Sequence, residues 1–221
     1  MRPILLLLPL IVVLHGCVDS PKASRRDPPR RSAPAQPPKP GPELKQCLGQ
    51  LQQAQASYAL LPNRTFSAGC HNVGTVRLAS LRSDSAHLEL SNLGPVTCNM
   101  ATQFAGWARF GADRAAQQIM GSRLARIETY GSYSCRTVAG SRRLSGHSTA
   151  NAIDVSGFVL EDGRRISVLE DWDGGTAQEK RFLRTVQASA CKRFGTTLGP
   201  EYNAAHRNHF HFEADGANFC R

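Results

Sequence analysis

The spacing of apolar residues predicts alternating helices and short strands from Leu44 to the C-terminus. Three segments place apolar residues every three or four positions, which is typical of helices with one buried face: 43–60, 97–120 and 179–194. Shorter segments alternate apolar and polar residues, or form a hairpin, and predict strands: 75–79, 87–90, 124–136, 152–160, 165–169 and 208–214. This order predicts an α+β fold with a small, mostly antiparallel sheet flanked by helices.

A leucine-rich stretch at the N-terminus departs from this pattern. Residues 4–14 are apolar, follow Arg2 and lead into His15-Gly16-Cys17. Such a stretch is too short for a stable membrane span, and its layout is that of a bacterial secretory signal with a lipoprotein-type cleavage site. We therefore predict a signal peptide at residues 1–17 and lipidation of Cys17. The alternative is cleavage by an ordinary signal peptidase, with Cys17 incidental.

The resemblance to bacterial lipoproteins has a consequence for location. Val18, and not an aspartate, follows Cys17. The resemblance then implies a periplasmic protein of a Gram-negative bacterium, held by its lipid anchor in the outer membrane. An exported protein of this kind is not expected to meet nucleic acid, although the net charge is +10.

Residues 18–43 are rich in proline and basic residues, and they contain few apolar residues to bury. We predict a disordered, extended tether there, followed by one domain at residues 44–221. The basic residues of the tether suit anionic lipid headgroups or an acidic cell-wall polymer; a solvated linker without a partner is the alternative. The sequence leaves the oligomeric state open.

The cysteines indicate a disulfide framework. The chain has seven, and setting Cys17 apart leaves an even number in the domain, which predicts three disulfides in an exported protein. The sequence leaves their pairing open. We favour a Cys191–Cys220 bond because it would fasten the last predicted strand to the preceding helix. The six cysteines are Cys47, Cys70, Cys98, Cys135, Cys191 and Cys220.

Two short motifs carry the candidate chemistry. His147 precedes Asp154 by seven positions, and His206, His209 and His211 lie within six positions of one another near the C-terminus. Because residues two apart on a strand share a face, His209 and His211 are expected to point into one volume. Catalytic zinc sites take three such imidazole and carboxylate ligands and leave one position open for water, so the two motifs predict a metal site.

The motifs resemble those of known enzymes. Ser-x-His-x6-Asp at residues 145–154, followed by His-x-His at 209–211, resembles the zinc peptidases of the D-Ala-D-Ala metallopeptidase, lysostaphin and hedgehog type. The chain from 44 to 221, with its six cysteines, segment 130–136 (YGSYSCR) and segment 208–216 (NHFHFEADG), is similar to bacterial extensin-like C-terminal domain proteins. The resemblance implies a peptidase-like fold of the hedgehog type and a Zn²⁺ ion bound by His147, Asp154 and His211.

The resemblance also implies roles for three further residues. His209 would face the reacting water or the developing oxyanion, His206 would lie beside it, and Arg136 would contact a carbonyl or carboxylate of the substrate. Asn208 replaces the glutamate that serves as general base in the carboxypeptidases, which leaves proton transfer to His209 or His206. Ala150 stands where the pattern commonly has glycine, a small change if the backbone keeps a negative φ there.

Together these features predict a zinc-dependent hydrolase that cleaves peptide bonds of peptidoglycan, as an endopeptidase or a carboxypeptidase. The alternative is a non-catalytic module of the same fold that binds the cell wall or a partner, with zinc structural or absent. An open coordination position would favour catalysis, whereas a closed one would favour the module.

Overall fold

A computed structural model describes residues 36–37 and 39–221. The predicted signal peptide, Cys17 and most of the predicted tether lie outside the described residues. The described part has the predicted α+β composition, with twelve strands and four α-helices. The strands are β1 (Ser57–Leu60), β2 (Arg64–Thr65), β3 (His71–Asn72), β4 (Thr75–Arg82), β5 (His87–Ser91), β6 (Val96–Thr97), β7 (Leu124–Gly131), β8 (Ala152–Leu160), β9 (Arg165–Ser167), β10 (Thr196–Leu198), β11 (Phe210–Glu213) and β12 (Phe219–Cys220).

The helices are few and have clear start signals. Thr176 caps the longest of them: its side chain accepts a hydrogen bond from the backbone N–H of Glu179, and the Glu179 side chain bonds back to the Thr176 N–H. The second helix continues after its last α-helical turn as two π-helical segments, Ala108–Asp113 and Ala116–Met120. The α-helices are α1 (Pro42–Gln53), α2 (Cys98–Trp107), α3 (Val168–Asp171) and α4 (Ala177–Cys191).

Ten of the strands form one mixed sheet, which is larger than the small sheet predicted. Its order is β1-β4-β5-β7-β8-β11-β10-β12, with β6 paired to β4 and β9 paired to β8. The β5–β7 and β10–β12 pairs are parallel and the others are antiparallel. Strands β2 and β3 form a separate hairpin. The sheet is therefore mostly antiparallel, as predicted, and β8 and β11 are neighbours near its middle.

Several predicted boundaries were wrong, and three of them have a clear physical reason. The helix predicted to Leu60 ends at Gln53, because Gln55 takes a positive φ and Ser57–Leu60 pairs with β4 as β1. The strand predicted to Arg136 ends at Gly131, whose φ of 119° turns the chain out of the sheet. The hairpin strand predicted to Leu169 ends at Ser167, whose side chain caps α3 by accepting from the Glu170 N–H.

The core lies between the sheet and the helices α2 and α4. Met100, Phe104, Trp107 and Ala108, which the periodicity placed on the buried side of a helix, are fully buried. The Trp107 indole N–H donates to the backbone carbonyl of Val186 in α4 at 3.1 Å. The indole ring of Trp107 is thus buried with its N–H group hydrogen-bonded.

All six predicted cysteines form disulfides, including the favoured pair. Cys47–Cys98 links α1 to α2, Cys70–Cys135 links the β2–β3 hairpin region to the segment after β7, and Cys191–Cys220 links α4 to β12. Among the described residues, no helix combines the length and the apolar character needed to cross a membrane.

Candidate metal centre

Strand pairing brings the two histidine motifs together. His211 in β11 lies directly opposite Asp154 in β8, so their side chains meet on one face of the sheet. His147 lies on a 3₁₀ turn, Gly146–Thr149, immediately before β8; the Ser145 side chain caps this turn by accepting from the His147 N–H. Two of the three side chains thus come from paired strands in fixed register, and the third comes from the turn that leads into β8.

The three donor atoms converge. Asp154 Oδ1 lies 2.8 Å from His211 Nδ1, Asp154 Oδ2 lies 3.2 Å from His147 Nε2, and the two histidine nitrogens are 3.1 Å apart. One donor atom from each residue fits within a common span of 4.8 Å. Zn–N and Zn–O bonds of about 2.0–2.1 Å at tetrahedral angles require donors about 3.3 Å apart, so zinc fits this set with an outward adjustment of a few tenths of an ångström.

Each histidine of the set is held by a second acceptor. His147 Nδ1–H donates to the Ser132 backbone carbonyl at 2.8 Å, and His211 Nε2–H donates to Glu213 Oε1 at 2.8 Å. Zinc-binding histidines commonly have such a partner, which fixes the ring orientation and leaves the other nitrogen for the metal. The arrangement offers His147 Nε2 and His211 Nδ1 as ligands. Both the three donor atoms and the acceptors that orient the two histidines are therefore of the kinds found in zinc sites.

Charges within the cluster compensate one another. Burial opposes ionisation of Asp154, but hydrogen bonds from His147 and His211 hold the pKa of its carboxyl far below the usual range. Burial likewise opposes the charge on His211, but hydrogen bonds to Asp154 and Glu213 outweigh it and raise its pKa to about 9. Without a metal, a protonated His211 therefore lies between two carboxylates.

His209 and His206 line the same region without joining the three donors. His209 Nε2 lies 3.5 Å from Asp154 Oδ1, while its Nδ1–H donates to Asn208 Oδ1 at 2.8 Å. The His206 ring is centred 5.1 Å from that of His209, and its Nδ1–H donates to Asn203 Oδ1 at 2.7 Å. Both rings thus expose a lone pair on Nε2.

The surroundings keep these two imidazoles neutral. Burial lowers the pKa of His206 to about 4, and the neighbouring histidines His209 and His211 add to this effect. Burial also lowers the pKa of His209, although Asp154 partly offsets it. At neutral pH both imidazoles are therefore unprotonated, as a general base must be before it accepts a proton, but a pKa of about 4 makes His206 a weak base.

Arg136 is exposed and lies on the segment that follows β7. Its backbone carbonyl accepts from the Ser145 N–H at 3.1 Å, which ties this segment to the turn that carries His147. The Arg136 charge is one of the influences that lower the pKa values of His206 and His209. Arg136 therefore lies close enough to His206 and His209 for its charge to affect their protonation.

The Ala150 backbone differs from the expectation. Its φ is +55° and its ψ is 26°, so it is left-handed, and the condition of a negative φ is not met. Glycine takes this conformation at no steric cost, whereas an L-residue with a Cβ is disfavoured there. Alanine in place of glycine is therefore not the small change expected at this position.

Several residues around the cluster had not been assigned a role. Glu213 follows His211 by two positions in β11, so strand periodicity alone places it on the same face. Tyr130 and Tyr202 are 53% and 42% exposed, and their rings meet His209 and His206 edge-on. Nothing in the sequence distinguishes the Ser132 carbonyl, because any residue type carries that group.

The comparisons with known proteins identify a family. A family model described as Extensin-like protein C-terminus matches residues 45–221, which include every α-helix after the first turn of α1, every strand and all six paired cysteines. Neither a curated protein nor a solved structure matches the chain. On the strength of a match over more than three quarters of its length, the chain belongs to the extensin-like protein C-terminus family.

Proposed function

We propose that this protein is a zinc-dependent hydrolase that cleaves peptide bonds of peptidoglycan. The observation that carries the proposal is the convergence of His147, Asp154 and His211, with His209 beside them but outside the donor set. Three protein donors leave a tetrahedral metal one open position. The resemblance of the motifs to the zinc peptidases of the D-Ala-D-Ala metallopeptidase and hedgehog type supports the substrate class and a relationship in fold.

His147, Asp154 and His211 would hold the ion. When bound, zinc acidifies a water molecule and polarises a carbonyl group. The chain's own residues perform the remaining tasks. His209, neutral and with its Nε2 directed toward Asp154, accepts the proton that the attacking water loses. Asn208, where carboxypeptidases have a glutamate, holds the His209 ring by accepting from Nδ1–H.

Substrate binding falls to residues around the histidines. Arg136 provides a positive charge for a carbonyl or carboxylate of the peptide. The exposed rings of Tyr130 and Tyr202 provide flat apolar surfaces on either side of His209 and His206. His206, whose pKa is about 4, is neutral at the pH of the reaction and is a second but weak proton acceptor.

The proposed location agrees with the chemistry of the fold. Three disulfides are typical of an oxidising compartment such as the periplasm, where peptidoglycan lies. Lipidation at Cys17 would hold the domain at the membrane, with residues 18–43 as the tether that lets it reach the wall. Peptidoglycan peptides and the membrane are thus the proposed partners.

The decisive experiment is incubation of the purified, zinc-loaded protein with muropeptides, read out by mass spectrometry. We expect about one zinc per chain. We also expect product peptides whose masses sum to that of the substrate plus one water. Asp154→Ala should lose both the zinc and the products, whereas His87→Ala, which changes an exposed histidine outside the cluster, should keep both. Zinc without products would favour the non-catalytic wall-binding module, and a zinc-free wild type would refute the site.

A further inference from the structure

Gly146 directly precedes the candidate ligand His147 and begins the 3₁₀ turn Gly146–Thr149. Its backbone does not take a positive φ, so a residue with a side chain could adopt the same conformation. The backbone therefore gives no reason for glycine at this position. The reason is found in the space around it.

The carboxylate of Glu213 occupies the space that a side chain at position 146 would need. A Cβ atom on Gly146 would lie 2.6 Å from Glu213 Cδ, 2.7 Å from Oε2 and 2.8 Å from Oε1. Non-bonded heavy atoms favour separations of about 3.5 Å or more, so all three contacts would be too close. Glu213 therefore packs directly on the backbone of the turn that carries His147.

The same carboxylate contacts the other histidine ligand. Glu213 Oε1 accepts from His211 Nε2–H at 2.8 Å. Burial opposes the charge on Glu213, but the hydrogen bond from His211 and the nearby Gly146 N–H lower the pKa of its carboxyl. An ionised Glu213 thus lies between His211 in β11 and the turn before β8.

The backbone around this contact is held on both sides. The Asn151 N–H donates to the Gly146 carbonyl at 2.9 Å, and the Asn151 carbonyl accepts from the Ala214 N–H at 3.3 Å. Asn151 Nδ2 also donates to the Ala214 carbonyl at 3.1 Å. Because Ala214 directly follows Glu213, Asn151 fixes the spacing between the turn and the end of β11. An added Cβ at position 146 would therefore displace the Glu213 side chain before it moved the backbone.

We propose that Glu213 is a positioning residue that holds His147 and His211 in one geometry. It directs His211 Nδ1 toward Asp154 by accepting from Nε2–H, and it holds the turn before His147 by packing on Gly146. Glycine is required at position 146 because the carboxylate needs this space. The inference rests on the proposed function, since it takes zinc to be the ion that these ligands bind.

The test measures the effect of one substitution, Gly146→Ala, in three backgrounds: the wild type, Glu213→Gln and Glu213→Ala. Glutamine keeps the volume of the Glu213 side chain, whereas alanine removes the group with which the added Cβ would collide. Zinc affinity is measured by competition with a chelator at one pH. The ratio within each background then isolates the steric effect from the effect of the charge at position 213.

We expect Gly146→Ala to weaken zinc binding by about 10- to 100-fold in the wild type and in Glu213→Gln, and Glu213→Ala alone to weaken it by a similar factor. In the Glu213→Ala background, Gly146→Ala should change the affinity by about twofold or less, because the collision is gone. Gly49→Ala is the control, because a Cβ at this position of α1 meets nothing within 4 Å, and it should leave the affinity unchanged.

The midpoints of thermal unfolding of the metal-free proteins should follow the same pattern, with Gly146→Ala lowering the midpoint only where residue 213 keeps its volume. An equal effect in all three backgrounds would overturn the proposal, because alanine would then disturb the turn itself. Unchanged zinc affinity in Gly146→Ala or in Glu213→Ala would also overturn it. A wild type that binds no zinc would refute the metal site and with it this role of Glu213, whereas a zinc-binding wild type with the wrong pattern would refute the positioning role alone.

Discussion

His211 is the residue on which the charge balance of the cluster depends. Its two ring nitrogens face Asp154 and Glu213 at the same distance, 2.8 Å, and the imidazole is 5% exposed. Burial opposes its charge, but hydrogen bonds to the two carboxylates raise the pKa of His211 to about 9, so both nitrogens carry protons in the metal-free protein at neutral pH. A metal at Nδ1 displaces one of those protons and takes over the positive charge that Asp154 requires.

Zinc binding is therefore expected to release a proton. Below pH 9, affinity should rise by about tenfold per pH unit, because His211 must lose its Nδ1 proton, and it should level off near pH 9. Calorimetry at neutral pH in buffers of different ionisation enthalpy measures the proton directly. Glu213→Gln removes one of the two charges that stabilise the protonated His211 ring. The zinc affinity of this variant should therefore level off at a lower pH than that of the wild type. A binding enthalpy that is independent of the buffer would contradict this.

Replacement of His209 tests whether zinc binding and peptide cleavage depend on different residues. Its Nε2 lies near Asp154 but outside the donor set, so His209→Ala should retain nearly all the zinc while peptide cleavage falls by about a hundredfold or more. His211→Ala is the matched variant two residues later, in β11, and should lose the zinc. Metal analysis beside the cleavage assay separates the two effects. Equal zinc loss in both variants would show that His209 is a ligand.

Individual residues differ in how far the sequence predicts them. The two motifs indicated that His147, Asp154 and the C-terminal histidines meet, because together they supply the imidazole and carboxylate ligands of a metal site. The left-handed backbone of Ala150 and the acceptance by the Ser132 carbonyl were not predictable from residue types. Both depend on how the turn before β8 sits against the segment after β7.

Among the elements, β11 is organised most closely around the site. Its outward face carries His211 and Glu213, while Phe210 and Phe212 are fully buried on the other face. Alternation of this kind made the strand predictable. Strands β10 and β12 have only three and two residues and were not predicted, because the pairing partner and not local sequence defines them. The end of α1 was missed for the same reason.

The Cys191–Cys220 disulfide fastens the elements on either side of β11. Replacing both cysteines by serine opens a loop of 29 residues and should lower the free energy of unfolding by about 4 kcal/mol. The matched control replaces Cys47 and Cys98, which join α1 to α2, two elements that carry none of the histidines of the cluster. We expect comparable destabilisation but weaker zinc binding only in the first variant. Denaturant unfolding and metal titration measure the two quantities, and unchanged zinc affinity in both variants would contradict a role for this link in holding the site.

At the scale of the whole molecule, the fold class was predictable and the extent of the sheet was not. Helical periodicity identified α2 and α4, and turn signals identified the β4–β5 and β8–β9 hairpins. Short strands at the sheet edges carry too few residues for a periodic pattern. The parallel pairing of β5 with β7 joins strands separated by α2 and its π-helical continuation, a long-range contact that no local pattern encodes.

Attachment to a membrane is a prediction about the complete chain. If Cys17 is lipidated, the mature protein begins there and fractionates with membranes, because the several acyl chains of a bacterial lipoprotein anchor stably where one would not. Cys17→Ser should prevent lipid attachment and leave the disulfides of the domain intact. N-terminal mass analysis of both forms checks this. A soluble wild type whose N-terminus lies beyond Cys17 would contradict it.

The aromatic layer behind β11 gives the protein a built-in optical reporter. The chain has only two tryptophans. The Trp107 ring meets Phe212 edge-on at 4.9 Å, and the Trp172 ring meets Phe210 at 5.6 Å. Both indoles are almost wholly shielded from water, so the intrinsic fluorescence of the native protein arises from directly behind the strand that carries His211. A red shift in tryptophan emission therefore reports, without an added label, that water has reached the aromatic residues packed against β11.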